Sequence, residues 1–238
     1  PSSISAVLTE HRARCVSFFS QSRMSVVKQV LLLVLAAMGI NAAPGPEDCD
    51  GLNVTLPTNQ LHKIYGDWVM VWSVCDNLQF SGALTYLASC KIELRLLPDN
   101  NTVALNQWTM LRDKSCAQYF FNMSRVSDSE DFTLNISVRT VEDNGDISHY
   151  NDYAKVTFLN TCPDCLMMVY RGYVGQFLLS YRREGHHQDV EQLKASHSDN
   201  KKLAECLRIP HTNTFSYDGV SDFCPKTHPP PAVESVQS

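Results

Sequence analysis

Apolar and polar residues alternate with period two through most of the chain. In Tyr65–Asn77, Trp68, Met70, Trp72 and Val74 fall on one face, and Val69, Val71 and Ser73 on the other. That is the pattern of a strand with one large apolar side buried. In Leu84–Leu96 one face carries Leu84, Tyr86, Ala88, Cys90, Ile92, Leu94 and Leu96, while Lys91, Glu93 and Arg95 take the other. Pro98-Asp99-Asn100-Asn101 then reads as a turn. Thr102–Leu111, Ala117–Arg125 and Phe132–Arg139 continue the series, and Glu142-Asp143-Asn144-Gly145 is a hairpin turn. Ile147–Tyr150, Ala154–Leu159, Leu166–Arg171 and Gln176–Arg182 supply further strands. Many short strands at regular spacing predict a sandwich or barrel.

A helical period appears only afterwards. Gln188–Leu207 places Val190, Leu193, His197, Leu203, Ala204 and Leu207 at three-to-four spacing, and Pro210 stops the run. A short strand is expected near Thr212–Tyr217, and Pro229-Pro230-Pro231 opens a tail, 229–238, expected to be disordered. At the other end, residues 1–23 have no readable pattern and are read as an upstream or non-native extension. Met24, Lys28, the apolar run Val30–Ile40 and the small residues that follow make a secretory signal peptide over 24–43. The run is too short for a membrane span, which needs about twenty apolar residues. One domain, 44–228, remains.

Secretion gives the cysteines their meaning. Of nine, Cys15 lies in the extension, leaving Cys49, Cys75, Cys90, Cys116, Cys162, Cys165, Cys206 and Cys224. An even number in an oxidising compartment implies disulfides. Asn53, Asn100, Asn122 and Asn135 stand in glycosylation sequons, and the alternation of Phe132, Leu134 and Ile136 turns Asn135 outward. A net charge of −5 without a Lys/Arg block argues against a nucleic-acid partner.

Gly66-Asp67-Trp68 at the start of the first strand resembles the Gly-x-Trp signature of the lipocalins. Strands, then one helix, then a short strand is that family's order. Cys206-Leu207-Arg208-Ile209-Pro210 with Cys224-Pro225, the segment Asn144–Tyr150, Cys49 and Cys116 are similar to the α1-acid glycoprotein (orosomucoid) type. Fish tributyltin-binding proteins and the saxitoxin- and tetrodotoxin-binding proteins of pufferfish belong to that group. Cys75, Cys90, Cys162 and Cys165 are extra, and the Cys116–Tyr150 stretch is longer than in mammalian members.

The resemblance implies an all-β fold: an eight-stranded up-and-down antiparallel barrel with one C-terminal α-helix packed outside. It implies Cys49–Cys206 and Cys116–Cys224 bridges. Gly66 and Trp68 would close one end, with Arg182, Arg183 or Arg208 stacked on the Trp. Gln107, His149, Tyr170 and Tyr181 match pocket-lining positions, with His149 where the group has an Arg and Gln107 where it has a Glu. Trp72 and Tyr86 add strand aromatics to the expected wall, the usual make-up of a small-molecule pocket.

Two cysteine motifs admit chemistry. Cys162-Pro-Asp-Cys165 could be a redox dithiol, but it sits between strands with no helix N-terminus to lower a thiol pKa, so a structural bridge is expected. Zinc there would need two more ligands, and His186, His187 and His197 lie elsewhere, so no metal is expected. Alternation points Cys90 inward and Cys75 outward. A Cys75–Cys90 bridge is the preferred reading, and a free Cys90 thiolate acting as a nucleophile, as in lipocalin-type prostaglandin D synthase, is the rival. No catalytic motif and no cofactor site is expected. The reading is a secreted, monomeric glycoprotein, not an enzyme, that carries small hydrophobic or amphipathic ligands, toxins or xenobiotics among them. A further rival is an acute-phase or immune-interaction glycoprotein acting through its surface.

Overall fold

The computed structural model describes residues 49–125, 132–142 and 147–226, and of 125, 132–142 and 147–152 the backbone only. The expected extension, the signal peptide, the tail and the side chains of Asn135 and His149 lie outside the described residues.

Eight antiparallel strands form the body: β1 (Gly66–Cys75), β2 (Leu87–Leu96), β3 (Thr102–Leu111), β4 (Cys116–Arg125), β5 (Phe132–Glu142), β6 (Ile147–Leu159), β7 (Cys165–Gly172) and β8 (Gly175–Arg183). Each pairs with the next, and β8 pairs with β1. The first half of β1, Gly66–Val69, also pairs with β2, which closes the barrel. The second half, Trp72–Val74, pairs instead with β9 (Thr214–Ser216). β1 and β2 therefore part towards one end. There the chain forms a short helix, α1 (Leu78–Leu84), whose Asn77 cap accepts a hydrogen bond from the Gln79 N–H.

The register between β1 and β8 shifts between Met70 and Trp72. A bulge of one residue moves every later side chain to the opposite face. Trp68 and Met70 point into the barrel, whereas Trp72 and Val74 belong to a second cluster outside it. Cys75 returns inward and packs with the interior residues.

That second cluster is where the helix packs. The expected single helix is two segments, α2 (Val190–Ala195) and α3 (His197–Cys206), joined at Ser196. Leu203, Ala204 and Ile209 cover Trp72, Leu159, Val169 and Leu178 on the barrel's outer face. The Leu-Arg-Ile-Pro segment is the helix terminator. Arg208 has φ 58°, its N–H donates to Glu205 O at 3.0 Å, and the Ile209 N–H reaches back to Ala204 O at 2.8 Å. This pair of bonds is a Schellman cap, with Ile209 buried beneath it and Pro210 blocking continuation.

The opposite end of the barrel is sealed. A 3-10 helix, Thr58–Ile64, crosses below β1. Trp68, 1% exposed, donates its indole N–H to Ile64 O at 2.7 Å. Arg183 lies 4.2 Å from the Trp68 ring centre and donates to the carbonyls of Tyr65 and Lys63 at 3.3 and 3.2 Å. Gly66 is required here: its φ is 116°, and a Cβ would stand 3.0 Å from Arg183 Nη1.

Disulfides join Cys49 to Cys206, Cys116 to Cys224 and Cys162 to Cys165. Cys75 and Cys90 are free and buried, which corrects the expected bridge between them. The last β1–β2 pair is Val69–Lys91, so Cys90 is level with Met70. Five residues of strand, about 16 Å, separate that level from Cys75. A disulfide needs Cα atoms within about 7 Å.

Candidate functional site

The barrel interior is solid at one end and open at the other. Trp68, Ile92, Leu94, Val103, Met123, Phe158 and Leu166 fill the sealed end. Above them lies a cavity of about 600 Å³. Period-two alternation builds its wall: Leu105, Gln107, Thr109 and Leu111 from β3, Tyr119 and Phe121 from β4, Met168 and Tyr170 from β7, Phe177 and Leu179 from β8. Met70 and Val156 lie towards the floor. Phe80, Ala83 and Leu84 of α1, Tyr86, and Val174 in the β7–β8 turn frame the mouth.

All the described residues on this wall are uncharged. The aromatic groups are organised. Tyr170 and Phe177 meet edge to face at 5.7 Å, and Phe177 meets Phe80 at 6.3 Å, giving a continuous arc from wall to mouth. Tyr119 stacks on Phe121 at 6.2 Å. Tyr170 is folded back over Gly172, where a Cβ would come within 2.4 Å of its hydroxyl. Gln107 Nε2 donates to Thr109 Oγ1 at 3.0 Å, and that hydroxyl lies 3.8 Å from Cys90 Sγ. A polar chain thus runs from the wall to a thiol behind it. α1 is pinned over the mouth by Asp76, whose carboxylate accepts the Gln176 N–H at 2.7 Å beside Gly175, φ 120°.

Of the six residues expected to line the pocket, Tyr86, Gln107 and Tyr170 do so. Tyr86 stands at the rim, 67% exposed. Trp72 is absent from the wall because the bulge turns it to the helix side. Tyr181 points inward but lies below the floor, 1% exposed, where burial and the nearby Cys90 push its hydroxyl pKa well up. The backbone of His149 pairs with Arg139 in the β5–β6 ladder, and its side chain is not among the described ones. The α1 residues and Thr109 were not anticipated. Asn77, a capping residue type just before Leu78, was the available signal for α1.

Cys90 is fully enclosed, and burial pushes its thiol up to about 12 despite the hydrogen bond from Thr109. It is a neutral thiol at pH 7, not a nucleophile. Among the described residues, no three His, Cys, Asp or Glu side chains gather to hold a metal, and no helix is long and apolar enough to cross a membrane.

No family model matches the chain. Two curated relatives from the pufferfish Takifugu pardalis, saxitoxin and tetrodotoxin-binding proteins 1 and 2, are each 40% identical to it over 201 residues. The match takes in 84% of this chain and 50% of each relative, so the chain spans about half the length of the curated relatives it matches. A solved siderocalin, Ex-FABP, described as acting through dual ligand specificities, superposes with a TM-score of 0.47 at 10% identity, over 68% of this chain and 97% of its own.

Proposed function

We propose that this chain is a non-catalytic carrier that holds a small hydrophobic or amphipathic molecule in the open half of its barrel. One observation carries the reading: an uncharged, aromatic-lined cavity of about 600 Å³ with a few polar groups on its wall. That is the size and chemistry of a site for a drug-sized ligand. Tyr86, Gln107 and Tyr170 are proposed contacts, joined by Phe80, Tyr119 and Phe177. Toxins and other xenobiotics fall within its range, and the names of the two pufferfish relatives support their inclusion. With neutral groups on the described wall, a neutral ligand enters without leaving a charge unpaired, so neutral cargo is favoured.

The carrier is further proposed to be secreted, monomeric and glycosylated. The three bridges support an oxidising compartment. Asn53 and Asn100 are exposed, and Asn122 is on the strand face opposite Phe121 and Met123, so these three can carry glycans. The enzyme reading through Cys90 has no support from a buried neutral thiol, and no observation favours a purely surface-acting glycoprotein.

Native mass spectrometry of protein isolated without denaturation tests the reading. The expected spectrum contains one extra small-molecule mass per chain, released on unfolding, on a protein whose mass falls after glycan removal. Ligand-free protein in every preparation, together with failure to bind any neutral apolar probe, would overturn the carrier assignment.

A further inference from the structure

At the sealed end, Cys162-Pro163-Asp164-Cys165 forms the β6–β7 connection. Cys162 is exposed and Cys165 half-buried. Arg182 faces Cys165 across the β7–β8 ladder. Its guanidinium is directed at both sulfurs: Nη1 donates to Cys162 Sγ at 3.2 Å and also to Cys165 Sγ. The carboxylate within the motif is engaged elsewhere, with Asp164 3.6 Å from Arg183 Nε and 3.7 Å from His186 Nδ1. Lys63 and both cysteines line a small depression beside the bond.

This bridge adds little to the architecture. The Cys165 N–H already donates to Cys162 O at 3.0 Å, and Thr161 Oγ1 to Cys165 O at 3.0 Å, so the turn is held without it. Its cysteines are 3 residues apart, against 157 and 108 for the other two bridges, so it constrains the unfolded chain least. A cation against a cysteine sulfur stabilises its thiolate, and a stabilised leaving thiolate speeds attack on the sulfur bonded to it. The helix N-terminus that the sequence lacks at this motif is replaced by a side chain from the neighbouring strand.

We propose that Cys162–Cys165 is an exchange-active disulfide, opened and closed by small anionic thiols and their disulfides. A small thiolate attacks the exposed Cys162 Sγ. The Cys162–Cys165 bond breaks, and its electron pair passes to Cys165 Sγ, which leaves as a thiolate against Arg182. A second small thiolate attacks the incoming sulfur of the mixed disulfide. The small disulfide departs, and the Cys162 thiolate takes a proton from water. Two electrons pass from two small thiols to the protein, and the small disulfide reverses the reaction. Lys63 and Arg182 supply the positive charge that receives the anionic reagent. The site lies at the opposite end of the barrel from the cavity, so it stands or falls independently of the carrier reading.

The test equilibrates the folded, disulfide-bonded protein in reduced and oxidised glutathione at pH 7.4, with acid quenching, alkylation and peptide mass spectrometry of all three bridges. The expected midpoint for Cys162–Cys165 lies at a glutathione ratio at least tenfold more oxidising than for either other bridge. Arg182→Gln is expected to slow its opening at least tenfold, and Arg182→Lys to recover part of the rate, with circular dichroism unchanged. Opening together with or after Cys116–Cys224 in the wild type overturns the proposal, and this comparison needs no variant to fold. Equal opening rates in Arg182→Gln and wild type overturn it as well.

Discussion

Replacing Trp68 with Ala tests the plug at the sealed end. The ring is 1% exposed. A buried aromatic side chain of about 200 Å² at about 25 cal/mol per Å² contributes roughly 5 kcal/mol, of which Ala retains a part. Measured losses for such truncations are about 3–5 kcal/mol. Two further terms overlap with this figure. Ile64 O loses its indole donor, about 1 kcal/mol, and Arg183 loses the ring face beneath it, about 0.5–2 kcal/mol. Arg183 keeps its bonds to Lys63 O and Tyr65 O, so it is not left unpaired. The expected loss is about 4 kcal/mol. In urea, with a slope of about 2 kcal/mol per M, the midpoint should fall by about 2 M. Circular dichroism under non-reducing conditions reads this directly. Trp68 is separated from the cavity by Met70, so the affinity for a neutral probe in the folded variant should stay within about twofold of wild type. A loss below about 1.5 kcal/mol, or a tenfold change in probe affinity, would refute the assignment of Trp68 to the sealed end.

Three other outcomes are expected. His187 packs against the Tyr217 and Phe223 rings, which also touch each other, and burial first, then Lys91, lower its pKa against the pull of Glu184; His197 is lowered by burial, Lys201 and Lys194. Both are depressed in the fold, so their contribution is complete above about pH 6.5 and is lost as pH falls through the folded values; the urea midpoint should drop from pH 8 to pH 5, and His187→Phe should flatten the drop. A midpoint that rises towards pH 5 would show the sign to be wrong. Cys90 should resist alkylation at pH 8 in the folded protein and react only on unfolding, when labelling without reductant should find two thiols in residues 44–228. Removing the Cys116–Cys224 bridge, with its sequence separation of 108, should cost about 5 kcal/mol in the chain-entropy model. It should also release the segment in which Asp222 O accepts from Ser89 Oγ and Phe223 lies under Lys91, seen as faster amide exchange there.

The barrel was legible because alternation survives in nearly every strand, and the helix and its stop because a period of three to four ends at Pro210. What alternation could not supply was depth and parity. Tyr181 and Tyr170 both point inward, yet one is sealed beneath the floor and the other faces the cavity. The bulge between Met70 and Trp72 leaves no mark in the sequence, and it alone sends Trp72 outward and Cys75 inward. α1 was hidden because Leu78–Leu84 is short, contains Ser81 and Gly82, and runs into the apolar pattern of β2. The role of Arg182 required the β7–β8 register, since 17 residues separate it from Cys165.

The central claim is that the open half of the barrel holds the ligand. Titration with the neutral fluorescent probe N-phenyl-1-naphthylamine tests it most directly, comparing wild type with the double variant Leu105→Trp, Leu179→Trp, which fills the cavity from β3 and from β8. Wild type should bind one probe per chain with saturation, and the filled variant, with an unchanged circular dichroism spectrum, should bind at least tenfold more weakly. Equal binding by the folded double variant would place the ligand outside the barrel and contradict the account.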